Sequence, residues 1–314
     1  MSDPTQILDA IIQEIDAGCR AAMCVVIATR GSTPQVPGTV AFVNEAGVMI
    51  GTVGGGCTEA DVSRRAAGML SDGGGGLFTF ALDHDYSAET GPICGGQMDV
   101  AISVFSAQDH IRPLREAIGL LDTGHSATLP IRVTTSAGLV EYRLSIESAP
   151  KLVIAGGGHI GQVLAKMMVP LGFDVTVIDD RFDFASAERF PEPIKPIVGD
   201  IAEMLTSQPI DANTYVVIVT RGHEHDEQAL GAVVNSGAKY VGMIGSRRKI
   251  KIIFDNLRRK GVSPDRLDRV HAPIGVDIKA VTVEEIAVSI AAELISVRRA
   301  EYRKAIEGPT AIQA

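Results

Sequence analysis

The sequence predicts an α/β protein whose C-terminal half is a doubly wound parallel sheet, preceded by a smaller mixed α/β domain. Three observations carry this. The stretch 151–180, KLVIAGGGHIGQVLAKMMVPLGFDVTVIDD, runs from a short apolar segment through Gly156-x-Gly158-x-x-Gly161 to a helix-compatible segment, then to a second apolar run ending at Asp179. That is the order a dinucleotide-binding βαβ unit requires. Strand-length apolar runs then alternate with helical patterns, which argues for parallel strands joined by crossover helices. Up to Ile146 the apolar runs instead come in pairs around Gly-rich turns, the chemistry of hairpins.

At 314 residues the chain has room for about two domains. The boundary falls at Glu147-Ser148-Ala149-Pro150, giving domains 1–148 and 149–314. Nearly half the residues are apolar (46%), yet tryptophan is absent and aromatics make up 4%, so the core must be aliphatic and alanine-rich. A net charge of −9 argues against a general nucleic-acid binder, which needs a basic face. No apolar run reaches the roughly twenty residues of a membrane span, and MSDPTQILDA lacks a signal-peptide profile, so the protein is expected in the cytoplasm. Cys19, Cys24, Cys57 and Cys94 show no CxxC spacing, and in a reducing compartment they read as free thiols.

The first helix is expected from Pro4 to about Ala17: Asp3 caps it, Pro4 opens it, and Ile7, Leu8, Ile11, Ile12 and Ile15 recur at helical spacing. Met23–Thr29 reads as a buried strand, with Cys19 and Cys24 as small core residues beside it. The loop Arg30–Gly38 is rich in turn residues, and Thr39–Val43 with Val48–Val53 form a hairpin across Asn44–Gly47. Next comes Gly54-Gly55-Gly56-Cys57, followed by a helix over Ala60–Leu70. A thiol at a helix start sits where the dipole favours the thiolate, which makes Cys57 a candidate reactive or ligand-binding group. Leu77–Leu82 is a strand, and a polar loop ending in Cys94-Gly95-Gly96-Gln97 precedes strand Met98–Phe105. Cys94 repeats the pattern, a thiol beside a glycine pair where backbone N–H groups approach a ligand unobstructed. Each cysteine alone reads equally well as a small buried residue; the pair favours function. His84 between Asp83 and Asp85 has no second ligand cluster and reads as a solvated loop. A helix over Arg112–Asp122 and a hairpin of Thr128–Thr135 with Leu139–Ile146 complete this half.

In the second half, Gly156 makes the tight turn, Gly158 admits a pyrophosphate, and Gly161 lets the helix His159–Leu171 pack on its strand. This is a Rossmann-like pattern, with Asp179 about twenty residues on to accept a ribose 2′-OH and the helix N-terminus to face phosphates. Strands follow at Asp174–Ile178, Pro193–Val198, Thr214–Thr220 and Tyr240–Ile244, separated by a short helix at Ile201–Leu205 and a longer one through Val234. His159 either faces bound ligand or caps its helix. His223-x-His225-Asp226 points apart at a helix start and reads as a ligand-touching loop rather than a metal site. Gly245-Ser246-Arg247-Arg248-Lys249, opening a helix to about Lys260, suits an anion; the alternative is a solvated basic face. His271–Ile278 is too apolar for ordinary surface, Thr282-x-x-Glu285 is a capping box opening the last helix, and the tail after Lys304 is expected to fray.

Taken together, ATRGSTPQVPG, GTVGGGCTEADV, GPICGGQMDV, IAGGGHIG, YVGMIGSRRK and APIGVDIKAVTVEEIAVSIAAE, in this order over nearly the whole chain, resemble the XdhC/CoxI family. One departure is Gly54, which stands where the family's first cysteine motif has serine. The resemblance implies a maturation factor, not an enzyme in its own right. Such a factor binds the molybdenum cofactor (molybdopterin), supports its sulfuration with a cysteine desulfurase, and delivers it to apo xanthine dehydrogenase or a related molybdenum hydroxylase. It implies a cofactor site drawn from Cys57, Cys94, Gly95, Gly96, Gly156, Gly158, His159, Gly161, Arg247 and Arg248, with Cys94 and Cys57 as soft ligands to molybdenum; Asp179, outside those motifs, is read from its spacing as the ribose contact of NAD(P) or another adenine nucleotide. The competing classes are an NAD(P)-dependent oxidoreductase, favoured by Asp179 and His159, and a nucleotide-sensing regulatory module. Against the first, no hydride-transfer acid is recognisable, and a fold alone confers no chemistry. The apolar last helix suits either a homodimer or a cover for the sheet.

Overall fold

The computed structural model describes residues 4–81, 96–136, 138–300 and 305–311. They fall into two compact units, Met1–Ser148 with Arg303–Ala314, and Ala149–Tyr302. The units are nearly equal in length.

The first unit opens with α1 (Pro4–Asp16), whose Ile7, Leu8, Ile11 and Ile15 are all buried, as their spacing predicts. Each such side chain contributes about 1.5–3 kcal/mol on burial. There follow β1 (Ala21–Arg30), β2 (Val40–Asn44), β3 (Met49–Gly51), α2 (Gly56–Asp72), β4 (Gly76–Ala81), β5 (Gln97–Phe105), α3 (Gln108–Asp122), β6 (Ala127–Thr135) and β7 (Gly138–Ile146). β1 reads as one apolar run because both of its faces are covered. Met23 and Val25 pack with Ile7 and Leu8 of α1 and Ile111 and Leu114 of α3, whereas Ala22, Cys24 and Val26 pack with Val62, Ala66 and Leu70 of α2.

The second unit comprises β8 (Lys151–Ala155), α4 (His159–Met168), β9 (Asp174–Asp179), a 3₁₀ turn at Phe182–Phe184, β10 (Lys195–Val198), α5 (Ile201–Ser207), β11 (Thr214–Ile218), α6 (His223–Val233), β12 (Tyr240–Met243), α7 (Arg247–Arg259), α8 (Pro264–Leu267) and α9 (Val283–Ala300). Its five strands are parallel in the order β10-β9-β8-β11-β12. Leu152 and Ile154 face α4 and α9, while Val153 and Ala155 face the helices of the other side. This is the predicted doubly wound sheet. Its order reverses between β8 and β11, the position at which such sheets open a ligand crevice. The apolar side of α9 (Ala287, Ile290, Ala291, Leu294) is buried against this sheet, which decides for a cover. The capping box forms: the Glu285 N–H donates to Thr282 Oγ1 at 3.2 Å, and the Thr282 N–H to Glu285 Oε2 at 3.1 Å.

Three expectations need correcting. Helix α2 begins at Gly56 rather than Ala60, and α3 at Gln108 rather than Arg112. The tail does not fray throughout: β13 (Ile306–Ala311) pairs antiparallel with β7, and Ile306 enters the first unit's core. The first unit's sheet therefore runs β13-β7-β6-β4-β5-β1-β2-β3. No local signal marks this return of the chain, which is why residues up to 314 read as second domain. Among the described residues, no helix is long and apolar enough to cross a membrane.

Candidate functional site

In the first unit the chain turns from β3 into α2 through three consecutive glycines with positive φ: Gly54 (153°), Gly55 (79°) and Gly56 (59°). L-residues avoid these conformations, so the turn demands glycine. A Cβ at Gly54 would also lie 3.0 Å from Met98 Cε and 3.3 Å from Pro34 Cγ. Around Gly55 and Gly56 there is open space. Thr52 braces the turn: its hydroxyl donates to Glu59 Oε1 at 2.5 Å and accepts from the Gly54 N–H at 3.3 Å. With Gly55 as N-cap, Cys57 takes the second position of α2. Its side chain lies outside the described residues, as do Cys94, Gly95 and His84.

Gly96 is described and is buried. A Cβ there would meet Ser32 O at 2.2 Å, so its missing side chain serves close packing on the Arg30–Gly38 loop. Further along α2, a hollow of about 380 Å³ is lined by Thr58, Asp61, Arg64, Arg65, Thr79 and Phe80. Arg65 lies over the rings of Phe78 (4.8 Å) and Phe80 (5.7 Å), and Arg64 pairs with Asp61 at 2.9 Å. Asp61 offsets the charge of Arg64, so Arg65 gives this hollow one net positive charge with which to receive an anion. Of the other thiols, Cys24 is the core residue expected, fully buried with its thiol pushed up to about 12 by desolvation, whereas Cys19 is only half-buried and lies outside the core clusters.

In the second unit the glycines act as their spacing predicts. Gly156 has φ 116°, and a Cβ on it would lie 2.5 Å from Val219 O; one on Gly161 would lie 2.0 Å from Gly156 O. Gly158, the N-cap of α4, has nothing within 4 Å of its Cβ position. The loop is thus tight where it packs and open where a phosphate approaches the helix N-terminus. His159 stands exposed at the first position of α4.

Asp179 departs from its expected posture. It ends β9 with 1% of its surface exposed. Its Oδ2 accepts from the Gly157 N–H (2.8 Å) and Arg181 Nη2 (3.0 Å), and its Oδ1 from the Arg181 N–H (3.0 Å) and Arg181 Nε (2.8 Å). Burial pushes this carboxyl up, but the hydrogen bonds from Arg181 and Gly157 and the guanidinium charge hold it below the usual carboxylate range. The residues therefore fit a dinucleotide at its phosphate end and do not fit it at the ribose, where the acceptor is already engaged.

Arg247 and Arg248 are exposed in the first turn of α7, whose N-cap Ser246 accepts from the Lys249 N–H at 3.3 Å. The cation turned inward is Lys249, which pairs with the fully buried Asp226 of α6. Asp226 also accepts from the Thr220 N–H at 3.2 Å, just beyond β11. Arg221 joins Asp180 (2.7 Å) to His225 Nε2 (3.3 Å). Among the described residues no group of three His, Cys, Asp or Glu is placed to hold a metal. Sequence reasoning passed over Arg181, Arg189 and Thr220, and it grouped Lys249 with the cations awaiting an anion, whereas Lys249 is paired with Asp226. For Lys249 a signal existed: it precedes Ile250, Ile253 and Leu257 on the buried face of α7.

Comparisons with known proteins agree with this architecture. Residues 14–81 match the model of the XdhC and CoxI family, and residues 152–294 that of the XdhC Rossmann domain. The uncharacterized protein YqeB of Escherichia coli K12 is 28% identical over 287 residues, 90% of this chain but 44% of that protein, so the chain spans less than half of this relative. A probable xanthine dehydrogenase subunit of Bacillus subtilis 168 is 23% identical over 329 residues, covering 93% of this chain and 96% of its own length. The molybdenum cofactor insertion chaperone PaoD of E. coli K12 is 24% identical over 305 residues, covering 94% and 89%. A crystal structure described as a xanthine dehydrogenase from Bacillus halodurans shares the fold, with a TM-score of 0.81 at 21% identity over 96% of this chain and 97% of that one. With a glycine-turned cysteine helix in one unit, a glycine-loop parallel sheet in the other, and a family model matched in each, the chain belongs to the XdhC/CoxI family.

Proposed function

We propose that the protein binds the molybdenum cofactor as cargo through Cys57 and the Cys94-Gly95-Gly96 loop, and serves its maturation and insertion into xanthine dehydrogenase or a related molybdenum hydroxylase. A cysteine desulfurase is the proposed second partner, supplying sulfur while the cofactor is held, and the cytoplasm is the proposed site of action. The observation that carries this reading is the turn Gly54–Gly56. Three residues held at positive φ deliver a cysteine into the first turn of a helix in an XdhC-family chain. A helix N-terminus favours thiolate, the form that binds a thiophilic metal or carries transferable sulfur. The relative described as a molybdenum cofactor insertion chaperone matches over 94% of this chain, which supports the same role. The cationic hollow along α2 suits the phosphate of a pterin cofactor. A homodimer, if formed, needs a surface other than the apolar side of α9, which is used within the second unit.

An NAD(P)-dependent oxidoreductase or nucleotide sensor has less behind it, because Asp179 is occupied by Arg181. The proposal is tested by purifying the chain from cells that make the cofactor, assaying bound pterin and molybdenum, and mixing the product with apo-hydroxylase. Pterin and molybdenum at comparable amounts, with activity restored to the hydroxylase, are expected. A preparation free of both, unable to activate the hydroxylase, refutes the reading.

A further inference from the structure

The glycine loop invites a dinucleotide, and the segment beside it refuses half of one. In a dinucleotide-binding βαβ unit, the acid closing the second strand takes the adenosine ribose by accepting from its hydroxyls. Here both oxygens of that acid, Asp179, are bound from within the chain, by the Gly157 N–H and by Arg181 through its main chain and the Nε–Nη2 edge of its guanidinium. A ribose diol reaching Asp179 must displace a bidentate pair in which donor and acceptor are both ionised, and it returns hydrogen bonds in which only the carboxylate carries charge.

The guanidinium is not free to swing aside. It lies 3.5 Å from the ring centroid of Phe184, and Arg189 lies 5.1 Å from the same ring. Arg189 Nε donates to Gly157 O at 3.0 Å, and a Cβ on Gly157 would come within 1.8 Å of Phe184 O. The segment 181–190 is thus laid directly on the loop, and Gly157 has its N–H and its carbonyl bound by it and by Asp179. Only Gly158 and the start of α4 remain open.

We infer that Arg181 is a built-in occupant of the adenosine-ribose position, that Asp179 pins the glycine loop instead of holding a ligand, and that the loop accepts a phosphate ester only without an adenosine 2′,3′-diol. Arg181 and Phe184 are the specificity-determining residues. This goes beyond the proposed cofactor role and is independent of the cysteines, so its failure leaves that role standing.

Calorimetric titration of the full chain with ADP-ribose and with inorganic pyrophosphate tests it. The wild type is expected to bind ADP-ribose no more tightly than pyrophosphate, the adenosine adding nothing. Arg181→Ala frees Asp179 and should tighten ADP-ribose at least tenfold with pyrophosphate unchanged. Phe184→Ala, which removes the ring under the Arg181 guanidinium and beside Arg189 but leaves both cations in place, should give a smaller gain in the same direction and guards against a misfolded first variant. Wild-type ADP-ribose binding tenfold tighter than pyrophosphate overturns the inference, as does the absence of any gain in both variants when their circular dichroism is native.

Discussion

Lys249 and Asp226 form an ion pair between the first turns of α7 and α6, with Asp226 wholly buried and the Lys249 side chain a quarter exposed. Removing one member of such a pair strands a charge in the interior, whereas replacing both with apolar groups is often neutral. Lys249→Ala should therefore cost about 3 kcal/mol. Lys249→Met with Asp226→Leu should recover only part of it, because the Thr220 N–H and hydroxyl then lose their acceptor, as urea unfolding midpoints will show.

Glycines in one loop should respond in opposite ways. Gly161→Ala drives a methyl against Gly156 O, 2.0 Å away, and overpacking of this kind costs about 1–3 kcal/mol. Gly158→Ala meets open space and should stay within about 1 kcal/mol of wild type, the loss being that of a better N-cap residue. Equal destabilisation in denaturant titrations would contradict this division of roles.

Glu293 gives a pH prediction. Burial pushes its carboxyl up, but hydrogen bonds from His271 (3.0 Å), Tyr240 (2.5 Å) and the Gly275 N–H (2.7 Å) more than offset this and leave it below its ordinary value. A carboxyl lowered on folding contributes stability that is fully present above its unfolded value, about 4.3, and that fades as pH falls through the folded one. The wild type should lose more stability between pH 5 and pH 3.5 than Glu293→Gln does. Parallel acid-side curves for the two proteins would show that the group is not linked to folding.

Thiol reactivity should separate the cysteines by environment. Cys24, buried and raised to about 12, should resist alkylation at pH 8 in the folded protein, while Cys57 in its open-turned helix start should react first. Peptide mapping after brief iodoacetamide treatment reads this directly. Labelling of Cys24 ahead of Cys57 is the contrary outcome.

Much of the fold is legible in local chemistry. Pro4 and the isoleucines after it announce α1, Val216–Ile218 an interior strand, and Gly156, Gly158 and Gly161 a turn whose contacts come out as their spacing demands. What stays hidden is set by distant partners. Ile306–Ala311 carries Gly308 and Pro309 and becomes a strand only because β7 offers an edge. Gly56 looks like loop until the positive φ of Gly54 and Gly55 feeds it into α2. Asp179 sits where a ribose acid belongs, and nothing in the spacing tells that Arg181, two residues on, turns back to claim it. The exposed Arg247 and Arg248 draw the eye in GSRRK, yet helical phase turns Lys249 inward.

Whether the cysteines hold the cofactor is read most directly from the pterin-to-polypeptide ratio of Cys57→Ala and Cys94→Ala chains, purified beside the wild type from cofactor-producing cells. Each substitution is expected to lower the ratio several-fold while the circular dichroism spectrum stays that of the wild type. Wild-type ratios in both variants would contradict a cysteine-held cofactor.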